Sequence, residues 1–229
     1  MEHFQISIDG PAGAGKTVLG IFLSQKFNFL FIDSGILYRA FVYYCLENKI
    51  NFTNLKKLKK IIKTFIVDFK NKDTIIINKT KILNLKKLYR NNINTNINAV
   101  SNLNFVRKKI VKILKNISKK NNVIMVGRDI GSVVLKKANI KIFLDASLKK
   151  RIERRVNQKK LVNSKVNYEN IKTNLIKRDT FDINRKHGAL KHVKHEMYFD
   201  NTQLNVTETN QQILNLLLRK YKFLQVDND

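Results

Sequence analysis

Apolar and polar residues recur at regular spacings along this 229-residue chain. Residues 4–9 alternate apolar and polar side chains, which is typical of a strand with one buried face. Residues 18–27 repeat apolar side chains at helical spacing, and the continuous apolar run at 123–126 indicates a strand buried on both faces. The chain therefore begins with a strand followed by a helix, and the same succession returns later.

Further strand and helix patterns extend this alternation. The other strand patterns cover 29–33, 140–145 and 197–200, and the other helical patterns cover 37–46, 54–64, 94–119, 148–158, 168–180 and 207–221. Residues 65–90 differ, because short apolar runs at 65–69, 74–77 and 81–83 are separated by polar turns, which indicates an antiparallel insertion. Strands that alternate with helices predict an α/β fold, a three-layer sandwich whose parallel sheet carries helices on both faces.

Composition narrows the class of protein. A hydrophobic content of 43% is enough to fill a core, so disorder is excluded. A single cysteine excludes a disulfide scaffold. No apolar run reaches the roughly 18 residues that a membrane span needs, and the first residues lack the basic and apolar regions of a signal peptide. We expect a cytoplasmic protein with one main core.

The formal net charge of +28 first suggests a nucleic-acid partner. The alternative is that lysine is favoured by an AT-rich genome and lies mostly on solvated surface. The 35 lysines are spread along the whole chain, which favours the second interpretation, whereas there are only 10 arginines. Against such a background, a retained arginine marks a position that needs a planar bidentate donor.

A phosphate-binding loop follows the first strand pattern. Residues 10–17 match G-x-x-x-x-G-K-[ST], with a strand before and a helix after. Backbone N–H groups at the helix N-terminus bind phosphate, Lys16 reaches the β- and γ-phosphates, and the Thr17 hydroxyl faces Mg²⁺. The predicted ATP-binding residues are Gly10, Pro11, Ala12, Gly13, Ala14, Gly15, Lys16, Thr17 and Val18. Asp9 either serves this loop or only caps the turn.

Five further motifs occur in order, at 33–39 (D-S-G-I-L-Y-R), 99–107, 127–134 (G-R-D-I-G-S-V-V), 141–155 and 178–185 (R-D-T-F-D-I-N-R). Together with the loop they resemble the bacterial cytidylate (CMP/dCMP) kinase family over residues 4–220. The resemblance implies a P-loop core (1–40, 97–150 and 178–229), a monophosphate-binding lobe with the strand-rich insertion (41–96), and a lid with its following helix (151–177).

The resemblance also implies an activity and residue roles. The reaction is transfer of the γ-phosphoryl group of ATP to CMP or dCMP with Mg²⁺, by a monomer that has no specific nucleic-acid or membrane partner. The implied catalytic residues are Lys16, Arg128, Arg151, Arg155 and Arg178. The implied CMP-binding residues are Ser34, Tyr38, Arg39, Ser101, Arg107, Arg128, Asp129, Arg178, Asp182 and Arg185. The lid closes with Arg151, Arg154 and Arg155.

The distribution of arginine agrees with this assignment, since eight of the ten fall on these positions and only Arg90 and Arg219 lie outside. Two alternatives stay open. One is a P-loop kinase that prefers UMP or AMP, and the other is a nucleic-acid-binding protein whose P-loop is unused. Val18, Phe181 and Ile183 depart from the family pattern, and we expect weaker contacts to ATP and a less basic lid.

Overall fold

The computed structural model describes residues 3–71, 74–160, 166–194, 196–222 and 224. The strands are β1 (Gln5–Asp9), β2 (Leu30–Asp33), β3 (Val67–Asn71), β4 (Thr74–Ile77), β5 (Lys81–Asn84), β6 (Val123–Val126), β7 (Ile140–Asp145) and β8 (Met197–Asp200). The helices are α1 (Lys16–Lys26), α2 (Ser34–Glu47), α3 (Leu55–Thr64), α4 (Asn91–Ser101), α5 (Asn104–Ser118), α6 (Leu148–Lys160), α7 (Tyr168–Asn184) and α8 (Val206–Lys220).

A five-stranded parallel sheet in the order β2-β6-β1-β7-β8 organises the first compact unit, Met1–Ile32 with Asn121–Asp229. The central strand β1 pairs in parallel with β6 and with β7, so that Ile6 aligns with both Ile124 and Ile140. All four residues of β6 are buried, as the continuous apolar run predicts. The apolar faces of α1 and α8 share one core cluster with these strands. The predicted α/β fold is confirmed.

The second compact unit is Asp33–Lys120. Its sheet has the order β3-β4-β5, and both pairings are antiparallel. Ile75, Ile77 and Leu83 are buried on one face of this sheet, which confirms the predicted antiparallel insertion. The lobe expected at 41–96 falls inside this unit. Of the lid range 151–177, residues 161–165 lie outside the described residues.

Three local elements differ from the sequence pattern. The single helix predicted over 94–119 is wrong, because Leu103 takes an extended conformation (φ −80°, ψ 115°) between α4 and α5. A 3-10 turn at Leu85–Tyr89 and a π-helical turn at Ile130–Val134 were not predicted. Among the described residues, none of the helices combines the length and the apolar character that crossing a bilayer requires.

Candidate active site

The phosphate-binding loop connects the carboxyl end of β1 to the first residue of α1, where ligands of open α/β sheets bind. Gly10, Gly13 and Gly15 all take positive φ angles, of 145°, 80° and 101°. At Gly10 a side chain is also excluded by space, because a Cβ atom there would lie 2.0 Å from the Leu144 carbonyl oxygen. Lys16 is buried, and its Nζ atom donates to the Pro11 carbonyl at 2.6 Å. The loop is thus shaped by its own backbone and by β7.

Arg151 and Asp179 hold the outer side of this loop. Arg151 Nη1 donates to the Ala12 carbonyl at 3.0 Å, and Ala12 N–H donates to Asp179 Oδ1 at 3.2 Å. Arg151 also forms an ion pair with Asp179, and its Nε atom donates to the Ala146 carbonyl at 2.9 Å. Sequence reasoning gave Asp179 no role, although the residue lies inside the 178–185 motif.

Arg154 and Asn201 hold the same loop at Ala14. Arg154 donates to the Asn201 side-chain oxygen at 3.0 Å and to the carbonyls of Asn201 and Leu204 at 2.9 and 3.1 Å. Asn201 Nδ2 donates to the Ala14 carbonyl at 3.0 Å. No sequence signal marks Asn201, which simply follows β8. Burial lowers the pKa of Arg154, but its four oxygen acceptors, which include the Ala14 carbonyl at 3.4 Å, keep donors and acceptors matched.

The three arginines expected in the lid therefore differ in their surroundings. Arg151 is buried, and Arg154 is half-buried against the loop backbone. Arg155 is exposed, and its Nη1 atom donates to Gln158 on the same helix at 2.6 Å. Arg178 is exposed on α7. The roles of these residues in a closed lid stay predictions.

A compact cluster of two guanidinium and two carboxylate groups lies in the same unit. Arg128 Nε is 2.7 Å from Asp182 Oδ2. Arg185 bridges Asp182 Oδ1 and Asp129 Oδ1, each at 3.3 Å, and donates from Nε to the Gly188 carbonyl at 2.5 Å. The structure brings these four predicted acceptor-site residues together. Carboxylates so placed orient the guanidinium groups, whose planar fork also matches phosphate oxygens.

Asp9 at the end of β1 binds the π-helical turn. Its two carboxylate oxygens accept from Ile130 N–H at 2.9 Å and Gly131 N–H at 2.7 Å. Burial raises the pKa of Asp9 to about 7; the two N–H bonds oppose this rise, and the negative charges of Asp129 and Glu196 add to it. Asp9 therefore caps a turn, and the turn is the one that follows Arg128.

Ser34, Tyr38 and Arg39 lie in the second unit on α2. The helix begins at Ser34 rather than at 37, because the Asp33 side chain caps it by accepting from Gly35 N–H at 2.8 Å. Ser34 is buried, and Tyr38 and Arg39 are half-buried. Arg39 Nη1 donates to the Asn94 side chain at 2.6 Å. The capped helix thus presents these three side chains from its first two turns.

Ser101 and Arg107 lie in the second unit beside Tyr38. Arg107 is 4% exposed, and its guanidinium carbon lies 5.9 Å from the centre of the Tyr38 ring. Its Nη1 atom donates to the Ser101 carbonyl at 3.4 Å, at the C-terminus of α4. Buried arginine beside an aromatic ring and a serine is an arrangement that can read the edge of a planar polar ligand.

The described residues contain no group of three or more His, Cys, Asp or Glu side chains placed to hold a metal ion. Thr17 offers one exposed hydroxyl at the first turn of α1. A single hydroxyl ligand suits Mg²⁺, which keeps several waters and is commonly bound through substrate phosphates rather than by an all-protein cage. These residues therefore fit a magnesium ion that arrives with a nucleotide.

Comparisons with known proteins agree with this geometry. The sequence model of the family described as cytidylate kinase matches residues 6–219. A cytidylate kinase of Fusobacterium nucleatum is 34% identical over 220 residues, which are 96% of this chain and 98% of that protein. A cytidylate kinase of Phytoplasma mali is 36% identical over 228 residues, 98% of each chain.

Among solved structures, an uncharacterized protein from Eubacterium ventriosum has a TM-score of 0.52 at 12% identity, covering 94% of this chain and 98% of its own. This likeness concerns the fold alone. The match of a family model to nearly the whole sequence, and relatives above 30% identity over nearly their full length, concern the family. The chain belongs to the cytidylate kinase family and is a nucleoside-monophosphate kinase, a phosphotransferase.

Proposed function

We propose that this chain transfers the γ-phosphoryl group of ATP to CMP or dCMP, giving ADP and CDP or dCDP. The observation that carries the proposal is the pairing, in one unit, of a P-loop holding buried Lys16 with a cluster that presents Arg128 and Arg185. One feature suits the phosphate chain of a donor, and the other suits the phosphate of an acceptor. Phosphoryl transfer requires both in line.

On the donor side, the backbone N–H groups of residues 10–18 and the Lys16 ammonium bind the phosphates of ATP. Arg151 and Asp179 keep the loop in this shape through Ala12. Thr17 would hold a Mg²⁺ ion, which supplies neutralisation of the charge on the donor phosphates. The loop, the helix N-terminus and Lys16 orient the γ-phosphoryl group.

On the acceptor side, Arg128 and Arg185 bind the monophosphate, and Asp182 keeps both guanidinium groups oriented before it arrives. Oriented donors cost less to organise when the phosphate binds. The family pattern also assigns Arg39, on α2, to the monophosphate and Asp182 to the sugar hydroxyls.

Base recognition falls to Ser101 and Arg107, with Ser34, Tyr38 and Asp129. Cytosine presents the N4 amino donor beside the N3 and O2 acceptors. A guanidinium donates to the acceptors, while a hydroxyl or carboxylate accepts from N4. Arg107 is suited to this task because it is 4% exposed, and donors in a water-poor site discriminate more strongly between partners.

The reaction needs no protein nucleophile. An oxygen of the acceptor phosphate attacks the γ-phosphorus in line, and the bond to the ADP oxygen breaks. We propose residues 41–96 as the monophosphate-binding lobe, 151–177 as the lid, and 1–40, 97–150 and 178–229 as the core. Arg151, Arg155 and Arg178 are the lid and core arginines that neutralise charge during transfer.

The test is an ADP-release assay with ATP, Mg²⁺ and each of CMP, dCMP, UMP and AMP. We expect turnover with CMP and dCMP and much slower turnover with AMP. The Lys16→Ala variant, purified in parallel, controls for host kinases and should be inactive with every acceptor. Turnover on AMP with none on CMP would refute the proposal. Salt-dependent RNA binding at low micromolar affinity, without kinase activity, would favour the nucleic-acid alternative.

A further inference from the structure

Two successive residues of β1 anchor the segment that carries Arg128 and Asp129. Gly127 N–H donates to the Ile8 carbonyl at 3.0 Å, which continues the pairing of β1 with β6. The next two anchors are the bonds of Ile130 and Gly131 to the Asp9 carboxylate, at 2.9 and 2.7 Å. Only Arg128 and Asp129 lie between these anchors, so their backbone is fixed on both sides.

The π-helical turn has no acceptor of its own for the two N–H groups that Asp9 binds. Inside it, Val133 N–H donates to the Asp129 carbonyl at 2.9 Å and Leu135 N–H to the Ile130 carbonyl at 2.7 Å. The N–H groups of Ile130 and Gly131 open the turn, where earlier carbonyls are not in place to accept them. Asp9, which is 2% exposed, accepts both. Losing this acceptor would leave two buried donors without a partner, which is costly.

The turn also approaches β1 too closely for a side chain at residue 131. A Cβ atom on Gly131 would lie 2.9 Å from Ser7 Oγ, 3.3 Å from Lys141 Cδ and 3.5 Å from Asp9 Oδ2. Ser7 Oγ is buried and has no hydrogen-bond partner among the described residues. Glycine is therefore required for the distance at which Asp9 reaches both N–H groups.

We propose that Asp9 is a positioning residue for the acceptor side of the reaction: by binding the turn at Ile130 and Gly131 it fixes Arg128 and Asp129 for the monophosphate. This inference rests on the proposed function. It differs from the expected place of Asp9 as a neighbour of the phosphate-binding loop, because the two N–H groups that its carboxylate accepts from belong to the segment after Arg128 and Asp129. In this role Asp9 acts through Arg128 and Asp129.

The first test distinguishes an effect of Asp9 on CMP from an effect on ATP. Asp9→Asn keeps one carbonyl oxygen and turns an amide N–H₂ toward the other N–H group. We expect kcat/KM for CMP to fall about 10- to 100-fold, since small displacements of binding groups have effects of that size, while ATP affinity measured by calorimetry stays the same. Glu208→Gln, at an exposed carboxylate in the first turn of α8 that also accepts from a backbone N–H, is the matched control and should behave as wild type. Thermal melts establish that each variant is folded.

The outcomes are distinct. Unchanged CMP kinetics in Asp9→Asn, or a loss of ATP affinity as large as the loss for CMP, would overturn the inference while the proposed function stands. A wild-type chain that neither binds nor phosphorylates CMP would overturn both. CMP binding by calorimetry gives a readout that does not depend on turnover.

A second test leaves Asp9 in place. Gly131→Ala should push the turn away from β1 and lower kcat/KM for CMP about tenfold. Ser7→Ala alone should be neutral, because its hydroxyl has no partner to lose among the described residues. The double variant Ser7→Ala/Gly131→Ala makes room for the new methyl group and should recover most of the CMP activity. Wild-type kinetics in Gly131→Ala, or no recovery in the double variant, would contradict the inference.

Discussion

The Nε atom of Arg128 lies 2.7 Å from Oδ2 of Asp182, and the two side chains are 15% and 8% exposed. The other oxygen of the same carboxylate accepts from Arg185. Asp182 thus serves two guanidinium groups at once, in a place where water replaces a lost partner poorly. Together with Asp129, which also pairs with Arg185, it compensates the positive charges of this cluster in the absence of a nucleotide.

Asp182→Ala should therefore destabilise the chain. Removing one partner of a buried ion pair costs about 3 kcal/mol, because the remaining charge stays buried. Urea unfolding measures the change in free energy, and added phosphate should restore part of it by replacing the carboxylate. Asp68→Ala, at an exposed site, should change the free energy by less than about 0.5 kcal/mol. Equal stability of the two variants would show that the cluster contributes little.

Arg151→Lys should weaken ATP binding. Lysine keeps the charge, but it cannot donate at once to the Ala12 and Ala146 carbonyls as the Arg151 guanidinium does. We expect about a tenfold higher Kd for ATP, equivalent to the loss of one hydrogen bond made by a charged group. Arg219→Lys, an exposed position at the end of α8, is the matched control. Calorimetry with ATP decides, and equal affinities would mean that the loop keeps its shape unaided.

Asp9 should make stability depend on pH. Its pKa is raised from 3.8 to about 7, so within this window the folded chain keeps a proton that the unfolded chain has released. The free energy of unfolding consequently falls as pH rises from about 4 to about 7. Asp129 and Glu196 face Asp9 and share in the effect, and Lys141 lies close by on β7.

Urea unfolding of wild type and Asp9→Asn at about pH 5 and about pH 8 measures this contribution. The wild type should lose more stability between the two conditions than the variant, which cannot titrate at residue 9. If both proteins lose the same amount, the carboxyl group of Asp9 titrates in its ordinary range.

Cys45 should be inert in the folded chain. It is the single cysteine, it is fully buried in α2, and burial raises its pKa from 9.0 to about 12. The thiolate fraction near neutral pH is then about a thousandfold lower than for a free thiol. A chromogenic disulfide reagent should react with the chain only after denaturant is added, so its rate reports unfolding around α2. Rapid reaction with the native chain would contradict this burial.

The sheet could be predicted from sequence because each strand carries its own local pattern. The run at 123–126 is apolar at every position, and all four residues prove to be buried in β6, between β2 and β1. The break at Leu103 could not be predicted, because no glycine or proline marks it. The carbonyl of Ser101, left at the end of α4, is instead satisfied by the Arg107 side chain from the next helix. Such a bond depends on tertiary structure and leaves no periodic trace.

The candidate site, like the fold, could be predicted from the sequence only in part. Lys16, Arg128 and Arg185 lie in motifs that can be recognised one by one, and the structure brings Arg128 and Arg185 together around Asp182. The groups that hold those motifs in place are invisible to a local pattern. Asp9 binds residues more than a hundred positions away in the sequence. Asn201, which follows β8, donates to the Ala14 carbonyl of the loop. Only folding places such partners side by side.

Gly10 has a consequence for how this sequence can diverge. Because a methyl group there would meet the backbone oxygen of Leu144 at 2.0 Å, and no rotamer change can move a backbone atom aside, the constraint comes from the neighbouring strand. A descendant that abandoned nucleotides altogether would still have to keep this glycine to fold. The constraint on Lys16 is of another kind, since its buried Nζ atom donates to the Pro11 carbonyl and binds phosphate in the proposed reaction. Its replacement in a chain that keeps Gly10 would indicate a copy that no longer binds phosphates.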